Sequence, residues 1–509
     1  MALEKAGRHL EAAAEFRAAL SVDRFYRAAL RGLGLSFQNV GRLRQAKACY
    51  RACLRRDPAN VPAWVLVGSA FQKERRLDEA IGAYRTALSL DPRSIDAGNN
   101  LGSALQCARR WDEAKAVLGD LVSRQPDFAE GWNNLGLVLG LQDDLGAAEA
   151  ALRRALKLNP RHGHAWRNLG NVLLYACRVD EAVGAYRAAY AAEPAMDSAR
   201  NSESVALLLA GNLVDGWQAY EHRYAARSAQ ELERFAGARR WRGEPLAGRR
   251  IMVHAEQGLG DMIHFARYLP LLAGRGAEVH VELPASLREL VGAMPGVRAT
   301  YSQGDVLPPF DFNCPMMSLP LAFGTTLETV PGQVPYLVAP EADRPTWLAR
   351  IPSGPGRRIG VIWAGSQLHE NDHRRSIGLA RFQRLFRAHP HDRFFCLQKT
   401  RSEEDAAVLG EFGNVTDLAP ILGTFADTAS AIACLDLVIT VDTSVAHLAG
   451  ALGVPLWVLL PFSPDWRWLL NRSDSPWYPS ATLVRQPRPG DWESVLSEVA
   501  SRLARTAAR

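Results

Sequence analysis

Residues of the same type recur every 34 positions through the first half of the sequence, and this period constrains the fold more than any other feature. The residues that keep this spacing are Pro58, Pro92, Pro126, Pro160 and Pro194, with Gly34, Gly68, Gly102, Gly136 and Gly170 and Ala46, Ala80, Ala114, Ala148 and Ala182. Such a period predicts a stack of helix pairs, because one pair cannot bury its apolar face alone. We expect the small residues to let paired helices approach closely and each proline to end a helix.

The length of this period, with tryptophan at a shared aromatic position of several repeats, is typical of tetratricopeptide repeats. The tryptophans are Trp64, Trp132 and Trp166. The sequence therefore predicts a tetratricopeptide-repeat α-solenoid over residues 1–225.

Three asparagines occupy one position of successive repeats, namely Asn100, Asn134 and Asn168. Because an asparagine amide both donates and accepts, such a ladder predicts a groove that binds an extended polypeptide or another protein partner. The alternative is that asparagine makes only local helix contacts at this position, and the pattern favours that alternative because not every repeat carries it.

After an arginine- and glycine-rich stretch, residues 226–248, which we interpret as a linker, short apolar runs alternate with helical patterns. The predicted strands are Ile251–His254, Glu278–Glu282, Phe310–Cys314, Ile359–Trp363, Phe394–Gln398, Leu437–Val441 and Leu456–Leu460. Alternation of strands and helices predicts parallel, doubly wound sheets. A loop at 339–358 divides this half into two Rossmann-like α/β domains, 249–340 and 357–509, facing each other across a cleft.

The sequence HAEQGLGD, ending at Asp261, follows the first predicted strand. Its two glycines match the start of a dinucleotide-binding fingerprint, but Ile263 stands where the third glycine belongs. A helix start that binds phosphate is electropositive, so an aspartate there is unexpected. Asp261 therefore either caps the helix or has a function other than holding a cofactor.

The strongest local pattern of the second domain is DLVITVDTSVAHLAGALGVPLWVLLP, in which a buried strand ends at Asp442. Thr443 and Ser444 then open a helix whose free backbone N–H groups offer a site for a diphosphate. The alternative is an ordinary helix cap made by Asp442 or Thr443. His447, one turn into the helix, is by itself more typical of a packed residue than of a ligand.

Together, DTSVAH and GLGDMIHFARYLP resemble the glycosyltransferase family 9 fold of the bacterial lipopolysaccharide heptosyltransferases. The resemblance covers about residues 245–509, and longer strings such as SLPLAFGTTL resemble bacterial proteins that fuse tetratricopeptide repeats to such a domain. It implies a GT-B architecture, with an acceptor-side domain at 249–340 and a donor domain at 357–509. It also implies inverting transfer from a nucleotide-diphosphate sugar, with that sugar as substrate and no cofactor.

Carried over residue by residue, the resemblance implies that Asp261 is the catalytic base. It implies that Thr443 and Ser444 hold the donor diphosphate, with Asp442 and His447 at the ends of the same motif. Residues 245–509 contain no Asp-x-Asp metal pair, so we expect a metal-independent reaction.

Further donor contacts are expected in two loops. After the first strand of the second domain, Ser366 and Arg375 are the candidates, with arginine where the family has lysine; arginine also clamps phosphate. Lys399 is either a second phosphate contact or a solvated loop charge. Asp465 and Arg467 lie just past the last predicted strand, beside tryptophans on which a nucleotide base could stack. The alternative is that these tryptophans only pack against the sheet.

Charge, apolar patterning and cysteine content argue against several other classes of protein. The formal charge of +6 is dispersed along the chain, which is atypical of nucleic-acid-binding arms. No apolar stretch is long enough for a transmembrane span, and the N-terminus lacks the apolar core of a secretory signal. The chain begins inside an amphipathic helical pattern, as a truncated chain would. An odd number of dispersed cysteines, seven, favours a reducing, cytoplasmic location.

The leading hypothesis is a bacterial glycosyltransferase that modifies an acceptor hydroxyl on a protein recruited by the repeats. The alternative is a protein-interaction scaffold whose glycosyltransferase-like domain is catalytically degenerate. A third hypothesis, a nucleotide-sugar epimerase of the same fold, would use further acid and base groups, for which His254, Glu256 and His264 flank Asp261.

Overall fold

The computed structural model describes residues 7–23, 26–226, 233–235, 237–367 and 371–507, and all structural statements concern these residues. The chain forms two compact units. The first comprises Met1–Leu173 with Gly184–Pro194, and the second comprises Leu174–Val183 with Ala195–Arg509. Among the described residues, no helix is both long and apolar enough to cross a membrane.

The first half is helical, as the 34-residue period predicts. Its helices are His9–Val22, Arg27–Asn39, Leu43–Arg56, Val61–Lys73, Leu77–Leu90, Ile95–Cys107, Trp111–Arg124, Ala129–Leu141, Leu145–Leu158, Gly163–Tyr175, Val179–Ala192, Asp197–Leu209 and Leu213–Tyr220. Each proline of the 34-residue series from Pro58 to Pro160 lies between two helices, which confirms its predicted position.

The repeat glycines allow the helices of a pair to touch. A Cβ atom added to Gly34 would lie 2.3 Å from the ring of Tyr50, and one added to Gly68 would lie 2.5 Å from the ring of Tyr84. Both tyrosines are fully buried. A larger residue at these glycines would separate the paired helices, so the predicted close approach is confirmed.

A five-stranded parallel sheet, in the order β1-β5-β2-β3-β4, follows the repeats. Its strands are β1 Arg239–Arg240, β2 Arg250–His254, β3 Glu278–Glu282, β4 Val297–Tyr301 and β5 Phe312–Pro315. The helices around it are Leu259–Phe265, Leu269–Gly274, Ala285–Gly292 and Leu319–Phe323, and Arg344–Arg350 follows before β6. β1 lies inside the stretch interpreted as a linker, and Trp241 beside it is buried, so this part of the linker belongs to the sheet.

The last third of the chain forms a six-stranded parallel sheet in the order β11-β10-β9-β6-β7-β8. Its strands are β6 Arg358–Ile362, β7 Arg393–Cys396, β8 Val415–Asp417, β9 Leu437–Val441, β10 Leu456–Leu460 and β11 Ala481–Arg485. Its helices are Asp372–Arg375, Leu379–Phe382, Arg384–Ala388, Glu403–Gly410, Phe425–Ile432, Ser444–Ala451 and Trp492–Ala507. β6 is the first strand of this sheet along the chain, β7 and β8 follow on one side of it, and β9 to β11 follow on the other, so the strand order reverses between β6 and β9.

Each predicted strand corresponds to a strand of the structure, and the bounds of β3, β9 and β10 agree residue for residue. The prediction missed β1, β4, β8 and β11. All four are edge strands among the residues that the structure describes, and β1 is only two residues long.

The compact division falls earlier than residue 225, the predicted end of the repeat array. Helix Leu213–Tyr220 packs within the second unit, where Trp217 lies edge-on to Trp466 at a ring separation of 5.2 Å. The last helices of the array therefore share a core with the α/β half.

Candidate active site

Two helices begin next to each other at the carboxyl ends of strands from different sheets. The Asp261 helix, Leu259–Phe265, follows β2, and the Ser444 helix, Ser444–Ala451, follows β9. Each of these strands borders the point where the strand order of its sheet reverses, which is where open α/β sheets bind ligands. A Cβ atom added to Gly260 would lie 3.0 Å from Cδ2 of His447 and 3.3 Å from Cα of Ser444, so glycine permits this close approach.

The Asp261 carboxylate is engaged on both oxygens. The backbone N–H of Gly258 donates to Oδ2 at 2.8 Å, so Asp261 does cap its helix. The Arg467 guanidinium donates to Oδ1. Because a carboxylate offers about four acceptor positions, Asp261 retains the capacity to accept a further proton donor.

Arg467 also donates from Nη1 to Asp465 Oδ1 at 2.8 Å, and its guanidinium lies over the Trp466 ring at 4.2 Å. Both residues were predicted to contact the donor. The structure places Arg467 in an ion-paired, largely buried position against Asp261 instead. Sequence reasoning missed this pairing because 206 residues separate its partners.

The start of the Ser444 helix is where the sequence predicts either a diphosphate site or an ordinary helix cap. Thr443 occupies the cap position without a side-chain cap, and its hydroxyl lies 3.2 Å from the Thr440 hydroxyl instead. Uncapped amides at a helix start attract an anion. Burial of the Asp442 carboxyl, together with the nearby Asp465 carboxylate, raises the pKa of Asp442 to about 6.

Arg375 lies beside this helix start. Its Nη1 donates to the backbone carbonyl of Asp442 at 3.1 Å, and its Nε donates to Asp372 at 3.3 Å. The structure thus brings Arg375 and the start of the Ser444 helix together. Ser366, in the same loop, is exposed.

Lys399 forms its hydrogen bond with a loop carbonyl. Its ammonium group donates to the carbonyl of Gly423 at 2.9 Å, and the side chain is exposed. This contact favours the alternative in which Lys399 is a loop charge.

His447 and His264 are linked through one hydroxyl. Tyr478 Oη lies 3.0 Å from Nδ1 of His447 and 2.9 Å from Nδ1 of His264. A hydroxyl has a single proton, so Tyr478 donates to at most one of the two imidazoles, and at least one histidine donates to it from Nδ1. Among the described residues Nε2 of buried His264 has no partner. Since an unpaired N–H is the rarer case, we assign the proton of His264 to Nδ1, from which it donates to Tyr478.

Both imidazoles are expected to stay neutral well into acid. Burial, followed by the charges of nearby arginines, holds the pKa of His264 and of His447 well below the usual 6.5. Below about pH 6.5 the unfolded chain gains protons that the folded chain does not, so stability falls as the pH falls, by up to about 1.4 kcal/mol per histidine per pH unit. Urea unfolding at a series of pH values measures this slope.

The variant His447→Asn is the control, because it removes one of the two groups and should make the slope below pH 6.5 shallower. If NMR showed both imidazoles titrating with an unshifted pKa in the folded protein, the lowered pKa values would be contradicted.

The groups that an epimerase would use are packed rather than open to a cleft. The His254 ring stacks on Phe235 at 3.9 Å, and the Glu256 carboxylate, 1% exposed, pairs with Arg223 at 2.8 Å. His264 is fully buried. These contacts disfavour the epimerase hypothesis.

Two of the three repeat asparagines, Asn134 and Asn168, donate to an asparagine of the preceding repeat that lies one position before the series. Asn134 Nδ2 donates to Asn99 Oδ1 at 2.8 Å, and Asn168 Nδ2 donates to Asn133 Oδ1 at 2.9 Å, each across one repeat. Asn168 is buried, whereas Asn100 is half-buried. For Asn134 and Asn168 these contacts favour the local packing alternative over an open ladder for a peptide.

Comparison with known families matches both halves. The family described as Tetratricopeptide repeat matches residues 31–95, 99–162 and 142–197. The family described as Glycosyltransferase family 9 (heptosyltransferase) matches residues 381–489, which include β9 and the Ser444 helix. The chain therefore combines tetratricopeptide repeats with a glycosyltransferase family 9 domain at 381–489, and the two resemblances are confirmed for the residues matched.

Among curated proteins, Protein FlbA of Caulobacter vibrioides is 29% identical over 287 residues, which are 52% of this chain and 48% of that protein. The chain thus aligns with about half the length of this relative. Similar solved structures include the APC/C hetero-tetramer Cut9–Hcn1, with 18% identity, a TM-score of 0.41, and coverage of 45% of this chain and 46% of that one. Another is pilF of Pseudomonas aeruginosa, with 24% identity, a TM-score of 0.33, and coverage of 40% and 97%.

Proposed function

We propose that this chain, in which tetratricopeptide repeats precede a glycosyltransferase family 9 domain, transfers a sugar from a nucleotide-diphosphate donor to an acceptor hydroxyl. The two sheets form a GT-B pair in this proposal, with the donor on the six-stranded sheet and the acceptor on the five-stranded one. The observation that carries it is the meeting of the Asp261 helix with the uncapped start of the Ser444 helix.

The donor diphosphate would bind at the start of the Ser444 helix. The amides of Ser444 and its neighbours supply N–H donors, and Arg375, 3.1 Å from the Asp442 carbonyl, adds a positive charge. These groups would stabilise the negative charge that develops on the leaving diphosphate. The reaction would need no metal ion, because arginine and the helix start supply the positive potential.

Asp261 would act as the base. Its carboxylate accepts the proton of the acceptor hydroxyl while that oxygen attacks the anomeric carbon of the donor sugar. The bond between that carbon and the diphosphate oxygen breaks in the same displacement, and the nucleoside diphosphate leaves. A single displacement inverts the configuration at the anomeric carbon.

A protein acceptor is the part of the proposal that the repeats support. Tetratricopeptide arrays form extended concave surfaces that suit polypeptide partners. We therefore propose that the repeats recruit the protein whose hydroxyl is modified.

The scaffold hypothesis is the second candidate, and one observation favours it. Asp261 caps its helix and pairs with Arg467, so a structural role explains its position without any catalysis. In this case the α/β half would keep its fold and bind no donor.

Calorimetric titration with a panel of nucleoside diphosphates and nucleotide sugars, without added metal, tests the proposal. Saturable binding of one nucleotide class is expected and would identify the sugar for transfer assays on candidate proteins. A folded protein that binds none of the panel would support the scaffold. Transfer to free glycans or lipids, with every candidate protein left unmodified, would overturn the protein acceptor.

A further inference from the structure

The loop that leads from β2 to Asp261 has an unusual backbone. Gln257 adopts a φ of 57°, a left-handed conformation that is uncommon for residues other than glycine. Such a conformation persists only when surrounding contacts impose it. The neighbouring Glu256 is 1% exposed, so its charge is removed from solvent.

Side chains from the end of the repeat array contact Gln257 and its neighbour Glu256. Arg223 Nη2 donates to Glu256 Oε2 at 2.8 Å, and the Arg223 side chain is 6% exposed. Tyr220 Oη accepts a hydrogen bond from Gln257 Nε2 at 3.0 Å. Two consecutive residues of the loop are therefore held by one short segment, Tyr220–Arg223.

A second set of contacts holds that segment in place. Arg223 Nη1 donates to Glu221 Oε1 at 2.9 Å, and Arg223 Nη2 donates to Ser318 Oγ at 2.7 Å. Arg240 donates to the same serine hydroxyl at 2.8 Å and pairs with Glu221. Ser318 follows β5, the neighbour of β2, so the network joins the repeat end to both strands at the reversal point of the sheet.

The packing of Trp217 adds an apolar contact beneath the candidate site. Its ring lies 6.2 Å from Phe265 of the Asp261 helix and 5.2 Å from Trp466, the residue before Arg467. Trp217 is 2% exposed. The last repeat helix thus contacts both elements that contribute to the Asp261–Arg467 pair.

We propose that Tyr220 and Arg223, at the end of the repeat array, are positioning residues for sugar transfer, because they hold the loop that sets the place of Asp261. The inference rests on the proposed function for its catalytic consequence. Its structural part concerns only the loop and does not depend on catalysis. Without these contacts the Gln257 backbone leaves its left-handed conformation, and the start of the Asp261 helix moves away from the Ser444 helix.

Hydrogen exchange of the amides at 255–262 measures this structural half directly. The double variant Arg223→Met with Glu256→Gln removes both charges at once, so no buried charge is left unpaired. Exchange in this segment should accelerate by about tenfold, the change that corresponds to roughly 1.4 kcal/mol of local stability. Strand β9, Leu437–Val441, should be unaffected. Tyr220→Phe, which removes one hydroxyl, should accelerate exchange by about threefold.

The matched control is Arg357→Met with Asp392→Asn, which removes a half-buried ion pair at the start of β6, at the other end of the strands from the site. The inference would be overturned if the amides at 255–262 exchanged at the same rate in the wild type, the control and both test variants. So would the same acceleration in the control.

The catalytic half is measured by kcat, which should fall by about 100-fold in the Arg223 double variant, as for a small displacement of a reacting group. The affinity for the nucleoside diphosphate should stay unchanged. A wild-type protein that binds no donor would refute the proposed function, whereas the exchange result would still decide whether the repeat end holds the loop. Loss of donor affinity equal to the loss of kcat would overturn the positioning role.

Discussion

Replacing Asp261 by asparagine should abolish sugar transfer and leave donor binding nearly unchanged. Asparagine retains an oxygen that accepts from the Gly258 amide, so the helix cap survives. It cannot take a proton from the acceptor hydroxyl, and loss of a general base typically lowers kcat by about 100-fold to 10,000-fold. Transfer rates at saturating donor, beside calorimetric donor affinity, measure the two effects separately.

Asp465→Asn is the matched control for this variant. Asp465 is the second carboxylate on Arg467, at 2.8 Å from Nη1, so its loss disturbs the same arginine without removing the proposed base. We expect a much smaller loss of kcat. Equal losses in the two variants would mean that the ion pairs of Arg467 matter and that Asp261 is not the base.

Replacing Arg375 by alanine should weaken donor binding first. A charge-assisted hydrogen bond to phosphate contributes about 1.5–3 kcal/mol, so the dissociation constant should rise by roughly 10-fold to 100-fold. Added salt should reduce the difference between variant and wild type, because it screens the charge that is lost. Calorimetry with the nucleoside diphosphate at two ionic strengths provides the measurement.

The adjacent Arg374 supplies the control, since its guanidinium lies over the Tyr175 ring at 3.7 Å rather than on the Asp442 carbonyl. Arg374→Ala removes the same charge from the same short helix, Asp372–Arg375, and should change donor affinity little. If both variants bind the donor equally weakly, the effect is one of net charge and the specific role of Arg375 is wrong.

The sequence predicts most of the fold because its periodicities report burial. The 34-residue spacing of Gly34 and Gly68 reflects the buried tyrosines that pack on them, and the apolar run Leu437–Val441 reflects a strand buried on both faces. Strand Val297–Tyr301 lies at a sheet edge with only partly buried side chains, so no such run marks it. Arg239–Arg240 is too short for a periodic pattern.

The candidate site is predictable only where a local motif carries it. Asp261 and Ser444 stand in such motifs, and the structure brings their helices together. Arg467 and its partner Asp261 are 206 residues apart in the sequence. Tyr478, which lies between two histidines, is 214 residues from one of them, His264. No spacing in the sequence reports those contacts, because each element contributes only one partner.

The second compact unit takes in Leu174–Val183 and the chain from Ala195 onward, and this bears on how such fusions arise and diversify. Recombination that exchanged repeat arrays at residue 225 would separate Trp217 and Arg223 from their partners on the α/β half, and the product would lose part of its core. Crossovers upstream of Ala195 would leave those partners together. Exchange of repeat arrays should therefore replace only the earlier repeats. The last two helices, Asp197–Leu209 and Leu213–Tyr220, should stay with the glycosyltransferase half.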